Sequence, residues 1–163
     1  MVTDHAAASV AELEALYRDR FAAFARVANA IAGDEQSGID AVQDAFANAI
    51  LRFADYRGEA PLEAWVWRIV LNAARGLRRR QRPQPEDALP AASGNGRPDE
   101  DYEVRAWIAA LPERQRLAVF LRYYADLDYR SIAHALGVEV GTVSATLSAA
   151  HAALRRSHLE AHT

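Results

Sequence analysis

Apolar side chains recur every three or four positions along most of the chain, a spacing typical of amphipathic α-helices. In the first half this pattern predicts three helices, over residues 9–32, 37–56 and 61–82. Ser9 and Glu12 fit a capping box, in which each side chain bonds a free backbone N–H at the start of the first helix. The connections between these helices are short, so the pattern predicts a three-helix bundle.

The second half predicts four further helices, over residues 103–110, 112–124, 129–136 and 142–157. Asp128 fits the N-cap of the third of these helices, and Gly137 fits the turn that follows it. Small residues where two helices cross, a glycine at the turn and a branched residue such as Val143 on the next helix are typical of a helix-turn-helix.

Residues 83–102 differ in composition from the sequence on either side. They hold four prolines, two glycines and a cluster of acids, which cannot build a packed core. We therefore predict an all-α protein of two small helical lobes. A three-helix domain over residues 9–82 and a helix-turn-helix domain of four helices over residues 103–159 are joined by a flexible acidic linker over residues 83–102.

Charge is sorted into blocks. The 163-residue chain has a net charge of −3, yet residues 65–82 contain six arginines and no acid. Polar side chains of this stretch form one stripe along the predicted helix: Arg68, Asn72, Arg75, Arg79 and Arg82. Such a row suits a surface that lies along a polyanion, and the alternative is a solvated basic helix end.

Several classes of protein are disfavoured by the composition. The chain has no cysteine, which excludes disulfides and thiolate metal sites and fits a cytoplasmic location. The first residues lack the features of a signal peptide, and no run of eighteen apolar residues suggests a membrane span. His158 and His162 lie one helical turn apart without a third ligand, so we expect no metal site. Without a phosphate loop or a nucleophile–base set, we expect neither a cofactor nor enzymatic activity.

Two segments together resemble a known family. The stretches LYRDRFAAFARVANAIAGD and IDAVQDAFANAILRFADYRGEAPLEAWVWRIVLNAARGLRRRQR resemble conserved region 2 of the extracytoplasmic-function (ECF) sigma factors of bacterial RNA polymerase. The stretch LPERQRLAVFLRYYADLDYRSIAHALGVEVGTVSATL resembles their region 4. The resemblance implies a subunit that binds core RNA polymerase and directs it to promoter DNA, with an anti-sigma factor as a further partner.

Residues of region 2 are assigned roles through this resemblance. It implies that one group docks on the clamp helices of the largest polymerase subunit: Asp40, Val42, Gln43, Asp44 and Phe46. It implies that a second group captures an unstacked base and lines the melted strand of the minus-ten element: Tyr56, Arg57, Gly58, Trp65, Arg68, Asn72, Arg75 and Arg79.

Region 4 departs from the family pattern. The resemblance implies that the last helix reads the minus-thirty-five element through Thr142, Ser144, Thr146 and Arg155. Neutral side chains, however, stand where the family usually carries basic ones. An alternative interpretation is therefore a sigma-like adaptor whose region 4 binds a protein partner. A simple helix-turn-helix repressor is a third interpretation, but it leaves the first lobe and the linker unexplained.

Overall fold

The computed structural model describes residues 2–81 and 100–163. The described residues form seven α-helices and no strand: α1 (Val2–Ala32), α2 (Glu35–Leu51), α3 (Leu62–Gln81), α4 (Glu100–Ala109), α5 (Glu113–Tyr123), α6 (Tyr129–Leu136) and α7 (Val140–Ala161). The prediction of an all-α fold with two helical lobes is thus confirmed. Most of the predicted linker, and Arg82 of the arginine stripe, lie outside the described residues.

Helices α1, α2 and α3 form the first lobe around an aromatic centre. Trp67 is fully buried, and its ring centroid lies 4.3 Å from that of Phe24. Phe24 meets Phe46 edge-on, with ring centroids 5.4 Å apart. At the far end of α3, the Gln81 side-chain amide donates to the Ser37 hydroxyl at 2.9 Å, which ties the end of α3 to the start of α2. The basic end of α3 is therefore held in place.

Helices α4 to α7 form the second lobe. The Asp128 carboxylate accepts a hydrogen bond from the Ser131 backbone N–H at 2.8 Å, which confirms the predicted N-cap of α6. Gly137 ends α6 with a φ of 69°, a left-handed conformation that favours glycine at the turn into α7. The buried guanidinium of Arg116 donates to the carbonyls of Ala109 and Leu111, which holds the α4–α5 corner.

Several predicted helix boundaries are wrong. Helix α4 begins at Glu100, inside the predicted linker, and not at residue 103. Helix α1 begins at Val2, so Ser9 lies inside the helix and does not cap it. Helix α2 ends at Leu51, before the predicted end at residue 56, and a short 3-10 turn over Phe53–Asp55 follows. Helix α7 begins at Val140, slightly earlier than predicted, and continues to Ala161.

The two lobes contact each other, with α6 of the second lobe packed against α3 of the first. The closest ion pair between them joins Arg75 and Glu113, whose Nε and Oε1 atoms are 2.7 Å apart. Within the described parts of the chain, no helix is both long enough and apolar enough to cross a membrane.

Candidate nucleic-acid interface

The arginine stripe of α3 divides into exposed and paired members. Arg68, Asn72 and Arg79 are exposed, as a strand-binding face requires. Arg75 is about one-third exposed, because its guanidinium is hydrogen-bonded to Glu113 of the second lobe. The opposite side of α3 carries Trp67 into the core, so one helix serves both the core and the basic face.

An aromatic cluster lies beside the exposed end of this stripe. The chain turns after α2 and brings Tyr56 against Trp65, with ring centroids 5.3 Å apart. The Tyr56 hydroxyl donates to the Ala60 carbonyl at 2.6 Å, which fixes the loop between them. Burial, and then the negative charge of Glu12, raise the pKa of Tyr56. Tyr56 therefore stays a neutral hydrogen-bonding ring at physiological pH.

These elements enclose a pocket of about 460 Å³. Its lining combines aromatic rings, amide and cationic groups: Arg52, Asp55, Tyr56, Arg57, Glu59, Ala60, Trp65, Arg68, Ile69, Asn72 and His134. Five of the eight residues that the family resemblance assigns to minus-ten binding line this pocket. A sixth, Gly58, lies in its loop between two lining residues. Arg75 and Arg79 continue the stripe beyond it. An aromatic wall with arginines at its rim suits an unstacked base and its phosphates.

His134 is the one lining residue that comes from the second lobe. Its Nε2 is buried and finds no hydrogen-bond partner among the described residues. Burial, and then the positive charge of Arg68, lower the pKa of His134, while Glu59 acts in the opposite direction. Sequence analysis missed this residue, because helical spacing within α6 says nothing about which helix of the other lobe it meets.

The predicted polymerase-binding set also divides. Asp40, Gln43 and Asp44 are exposed on one side of α2. Val42 and Phe46 are buried in the first lobe, where Phe46 packs edge-on against Tyr17 with ring centroids 5.0 Å apart. Their side chains therefore pack into the core beneath the acidic face. Their periodicity with the other apolar residues of α2 already indicated a core position.

The predicted minus-thirty-five residues lie on α7. Ser144 and Arg155 are exposed, whereas Thr142 and Thr146 are half-buried. Val143, Leu147 and Ala150 form the buried side of the helix. The exposed side of the first three turns is lined by small neutral residues, and its arginines come only at the far end.

The two C-terminal histidines stack on each other. The rings of His158 and His162 are 4.4 Å apart, and His158 also meets Trp107 edge-on. Among residues 2–81 and 100–163 there is no group of three or more His, Asp or Glu side chains arranged to hold a metal ion.

Comparison with known proteins identifies the family of this chain. The sequence model of Sigma-70 region 2 matches residues 16–84, and that of Sigma-70, region 4, matches residues 102–154. The ECF RNA polymerase sigma-E factor of Escherichia coli K12 is 31% identical over 134 residues, which cover 71% of this chain and 70% of that protein. The chain belongs to the ECF sigma factors.

Other relatives of this ECF sigma factor agree. The ECF RNA polymerase sigma factor SigM of Mycobacterium tuberculosis is 28% identical over 160 residues, which cover 96% of this chain and 82% of that protein. Two solved structures resemble this fold over both lobes. The structure of CnrH in complex with the cytosolic domain of CnrY has a TM-score of 0.72 and 24% identity, covering 97% of this chain and 96% of CnrH. The sigma factor RpoE, solved in complex with the anti-sigma factor NepR from Bartonella quintana, gives a TM-score of 0.69 and 19% identity over 90% of this chain and 96% of RpoE. This ECF sigma factor is thus a promoter-recognition subunit of RNA polymerase.

Proposed function

We propose that this sigma factor directs core RNA polymerase to promoters and opens the minus-ten region with its first lobe. The pocket between the Tyr56 loop and α3 is the observation that carries this proposal. Opening a duplex requires a site that holds an extruded base, because the unstacking free energy must be offset by new contacts. The pocket offers an aromatic wall, with exposed Arg68 and Asn72 beside it.

Each side chain of the pocket has a distinct part in this proposal. The base stacks against the rings of Tyr56 and Trp65, because stacking on aromatic side chains holds single-stranded nucleic acid. The Asn72 amide bonds a base edge or the sugar. Arg68 and Arg79 hold successive phosphates along the exposed side of α3.

The exposed acidic face of α2 supplies the contact with polymerase. Asp40, Gln43 and Asp44 present two carboxylates and an amide on one side of the helix. Such a face is complementary to a basic surface, and charge complementarity favours rapid and specific docking. Val42 and Phe46 hold this face in register by packing into the core beneath it.

The test is run-off transcription on sheared genomic DNA with sigma-free core polymerase. We expect discrete transcripts with the wild-type protein and none with the Arg68→Ala/Asn72→Ala variant, while binding of core polymerase is retained in both. Arg18→Ala is the matched control, because Arg18 is also exposed but lies on α1, where it pairs with Glu14 of the same helix at 3.5 Å. Unchanged transcription by the double variant would contradict the assignment of the pocket.

A second candidate function is a sigma-like adaptor, and the neutral surface of α7 favours it. Helices that bind DNA usually present basic side chains to phosphates, whereas α7 presents Ser144 and Ser148. Ser144→Arg/Ser148→Arg places two cations on exposed positions of this face. Stronger upstream DNA binding with transcription retained favours promoter reading. Loss of function without a gain in DNA binding favours a protein-binding face.

Regulation and location follow from the same likeness. RpoE was solved with an anti-sigma factor, and CnrH with the cytosolic domain of CnrY. An anti-sigma partner is accordingly part of the proposal for this chain, as are a cytoplasmic location and the lack of a catalytic site of its own. Co-purification of the tagged protein from its source cells, followed by transcription with and without the captured partner, tests the anti-sigma partner.

A further inference from the structure

The pocket between the Tyr56 loop and α3 has the size of a small-molecule site. Its volume of about 460 Å³ lies within the range of about 300–1,000 Å³ that is typical of such sites. His134 of the second lobe forms one side of it. A nucleotide within a strand continues in two directions, whereas a free small molecule ends inside the pocket and needs a single opening. The pocket therefore suits a free ligand as well as an extruded base.

An aromatic platform, made of Tyr56 and Trp65 and backed by Phe53, forms one wall of the pocket. The ring centroids of Tyr56 and Trp65 are 5.3 Å apart, and Phe53 lies 5.8 Å from the first and 6.2 Å from the second. This spacing leaves no room for a planar ligand between the two rings, so it stacks on the side that they present to the pocket. The hydrogen bond from the Tyr56 hydroxyl to the Ala60 carbonyl already fixes the platform, so little conformational entropy is lost on binding.

Cationic side chains surround this aromatic platform. Arg52, Arg57 and Arg68 line the pocket together with two carboxylates, those of Asp55 and Glu59. Arg52 pairs with Asp55 at 3.4 Å, but both side chains are about two-thirds exposed, so the pair is weak and Arg52 can exchange it for another anion. Guanidinium groups bind phosphate through paired N–H bonds. Three of them around one pocket favour a ligand with several phosphate groups.

His134 adds a polar contact for the edge of a ligand's ring. Its buried Nε2 atom has no hydrogen-bond partner among the described residues, and such an unpaired atom costs free energy. Burial and the charge of Arg68 lower the pKa of His134, so its ring is neutral at physiological pH and carries one donor and one acceptor nitrogen. A nucleobase has donors and acceptors along its edge. A base on the aromatic platform can therefore satisfy the unpaired nitrogen.

From the aromatic platform, the three arginines and the unpaired nitrogen we propose that this pocket also binds a free purine nucleoside polyphosphate. The base stacks on Tyr56 and Trp65 and bonds His134, and the phosphates bind the surrounding arginines. A purine is favoured over a pyrimidine, because its two fused rings cover more of the platform. The inference rests on the proposed function, which assigns the same two rings to stacking, and it adds a ligand that promoter opening does not require.

The first test is isothermal titration calorimetry of the whole chain with ATP and with GTP. His134→Phe keeps a ring of similar size and removes the polar nitrogen, whereas His134→Gln keeps a hydrogen-bonding group. We expect His134→Phe to weaken the binding of ATP about two- to tenfold, the loss for one hydrogen bond, and His134→Gln to stay closer to the wild type. His151→Phe is the matched control, because His151 bonds Tyr123 within the second lobe and should bind ATP as the wild type does. Circular dichroism checks that every variant is folded.

A series of ligands separates stacking from charge. UTP carries the same phosphates on a smaller base, inorganic triphosphate lacks the base, and adenosine lacks the phosphates. We expect UTP to bind more weakly than ATP. Inorganic triphosphate and adenosine should each bind at least about fivefold more weakly than ATP, because each lacks one of the two main sets of contacts.

Other outcomes overturn the inference. If inorganic triphosphate binds as tightly as ATP, the pocket attracts charge and does not recognise a nucleotide. If His134→Phe binds ATP like the wild type, the nucleotide lies elsewhere. Run-off transcription with saturating core polymerase separates these failures from that of the proposed function. Transcripts from a wild-type protein that does not bind ATP reject the nucleotide site alone, whereas His134-dependent binding of ATP without any transcripts rejects the minus-ten role alone.

Discussion

Gly38 of α2 lies in close contact with Asn29 of α1. A Cβ added to Gly38 would be 2.7 Å from the Asn29 backbone nitrogen and 1.7 Å from its side-chain amide. Gly38→Ala therefore forces the two helices apart, and we expect it to lower the free energy of unfolding by about 1–3 kcal/mol, as overpacking does. Urea denaturation followed by circular dichroism measures this change, and an unchanged midpoint would contradict it.

Gly76 in α3 provides the opposite case. The nearest atom to an added Cβ is the flexible end of Arg80 at 3.6 Å, an ordinary contact distance. Alanine in a helix interior is favoured over glycine by about 0.5–1 kcal/mol, because glycine loses more backbone freedom on folding. We expect Gly76→Ala to raise the free energy of unfolding by that amount in the same denaturation experiment. A loss of stability would show that α3 needs the glycine.

Individual side chains were predictable where one element determines their environment. Trp65 and Trp67 are two positions apart, a spacing that puts them on different sides of a helix, and the structure buries Trp67 and leaves Trp65 at the pocket. The same spacing placed Val42 and Phe46 with the apolar residues of α2. Their assignment to the polymerase contact came from family resemblance, which compares positions and does not distinguish a residue that touches a partner from one that supports it.

Helices were best predicted where strong local signals mark both ends. The bounds of α6 agree with the prediction, because the Asp128 cap and the Gly137 turn act within one helical turn of each end. The start of α1 was wrong, since the alanine-rich residues before Ser9 are good helix formers and extend the helix past the cap. The end of α2 depends on Phe53 and Tyr56 packing against Trp65, a contact between elements that no local signal reports.

The N-cap of α6 allows a quantitative prediction. Replacing Asp128 with alanine leaves the Ser131 backbone N–H without its acceptor, and loss of such a cap typically costs about 1 kcal/mol. We expect Asp128→Ala to lower the midpoint of thermal unfolding at neutral pH. Asp128→Asn is the control, because asparagine caps a helix nearly as well and should keep the wild-type midpoint.

The same cap predicts a dependence on pH. Its hydrogen bond from the Ser131 backbone is the main cause of the lowered pKa of Asp128. An acid whose pKa is lower in the folded state stabilises the fold above its unfolded value, and this contribution is lost as the pH falls through the folded pKa. The wild-type midpoint should therefore drop more steeply below pH 3.8 than that of Asp128→Asn. Parallel curves for the two proteins would contradict this prediction.

The arrangement of the whole molecule was beyond sequence analysis. Arg75 and Glu113 are separated by 38 positions and by residues 82–99, so no periodicity connects them. The first-lobe residues of the pocket were grouped through the family resemblance. The fact that His134 and Gly137 close one side of it depends on how two separately predicted lobes dock.

His134 makes this docking sensitive to pH. Burial and the charge of Arg68 lower its pKa where the lobes are docked; Glu59 opposes this, and Arg52, Asp55, Tyr56 and Arg57 share the pocket. The docked lobes therefore bind protons less readily than separated ones, and acidification below about 6.5, the ordinary histidine value, favours separation. The chain has no cysteine, so dyes attached to cysteines introduced at exposed Ala22 and Glu160 report the separation of the lobes by energy transfer. We expect this energy transfer to be lower at pH 5.5 than at pH 7.5 in the wild type and to change less in His134→Gln. His151→Gln, which alters a partly exposed histidine of α7, should behave as the wild type.

Salt weakens both the Arg75–Glu113 ion pair and the binding of DNA. Counterions screen a partly exposed pair over a distance of about 10 Å at 0.1 M, which releases the lobes. They also compete for every phosphate contact, which weakens strand binding as their concentration rises. Energy transfer between the dyes at positions 22 and 160 should consequently fall as potassium chloride is increased, and it should fall less in Glu113→Gln, which lacks the ion pair, while binding of single-stranded DNA weakens in both proteins.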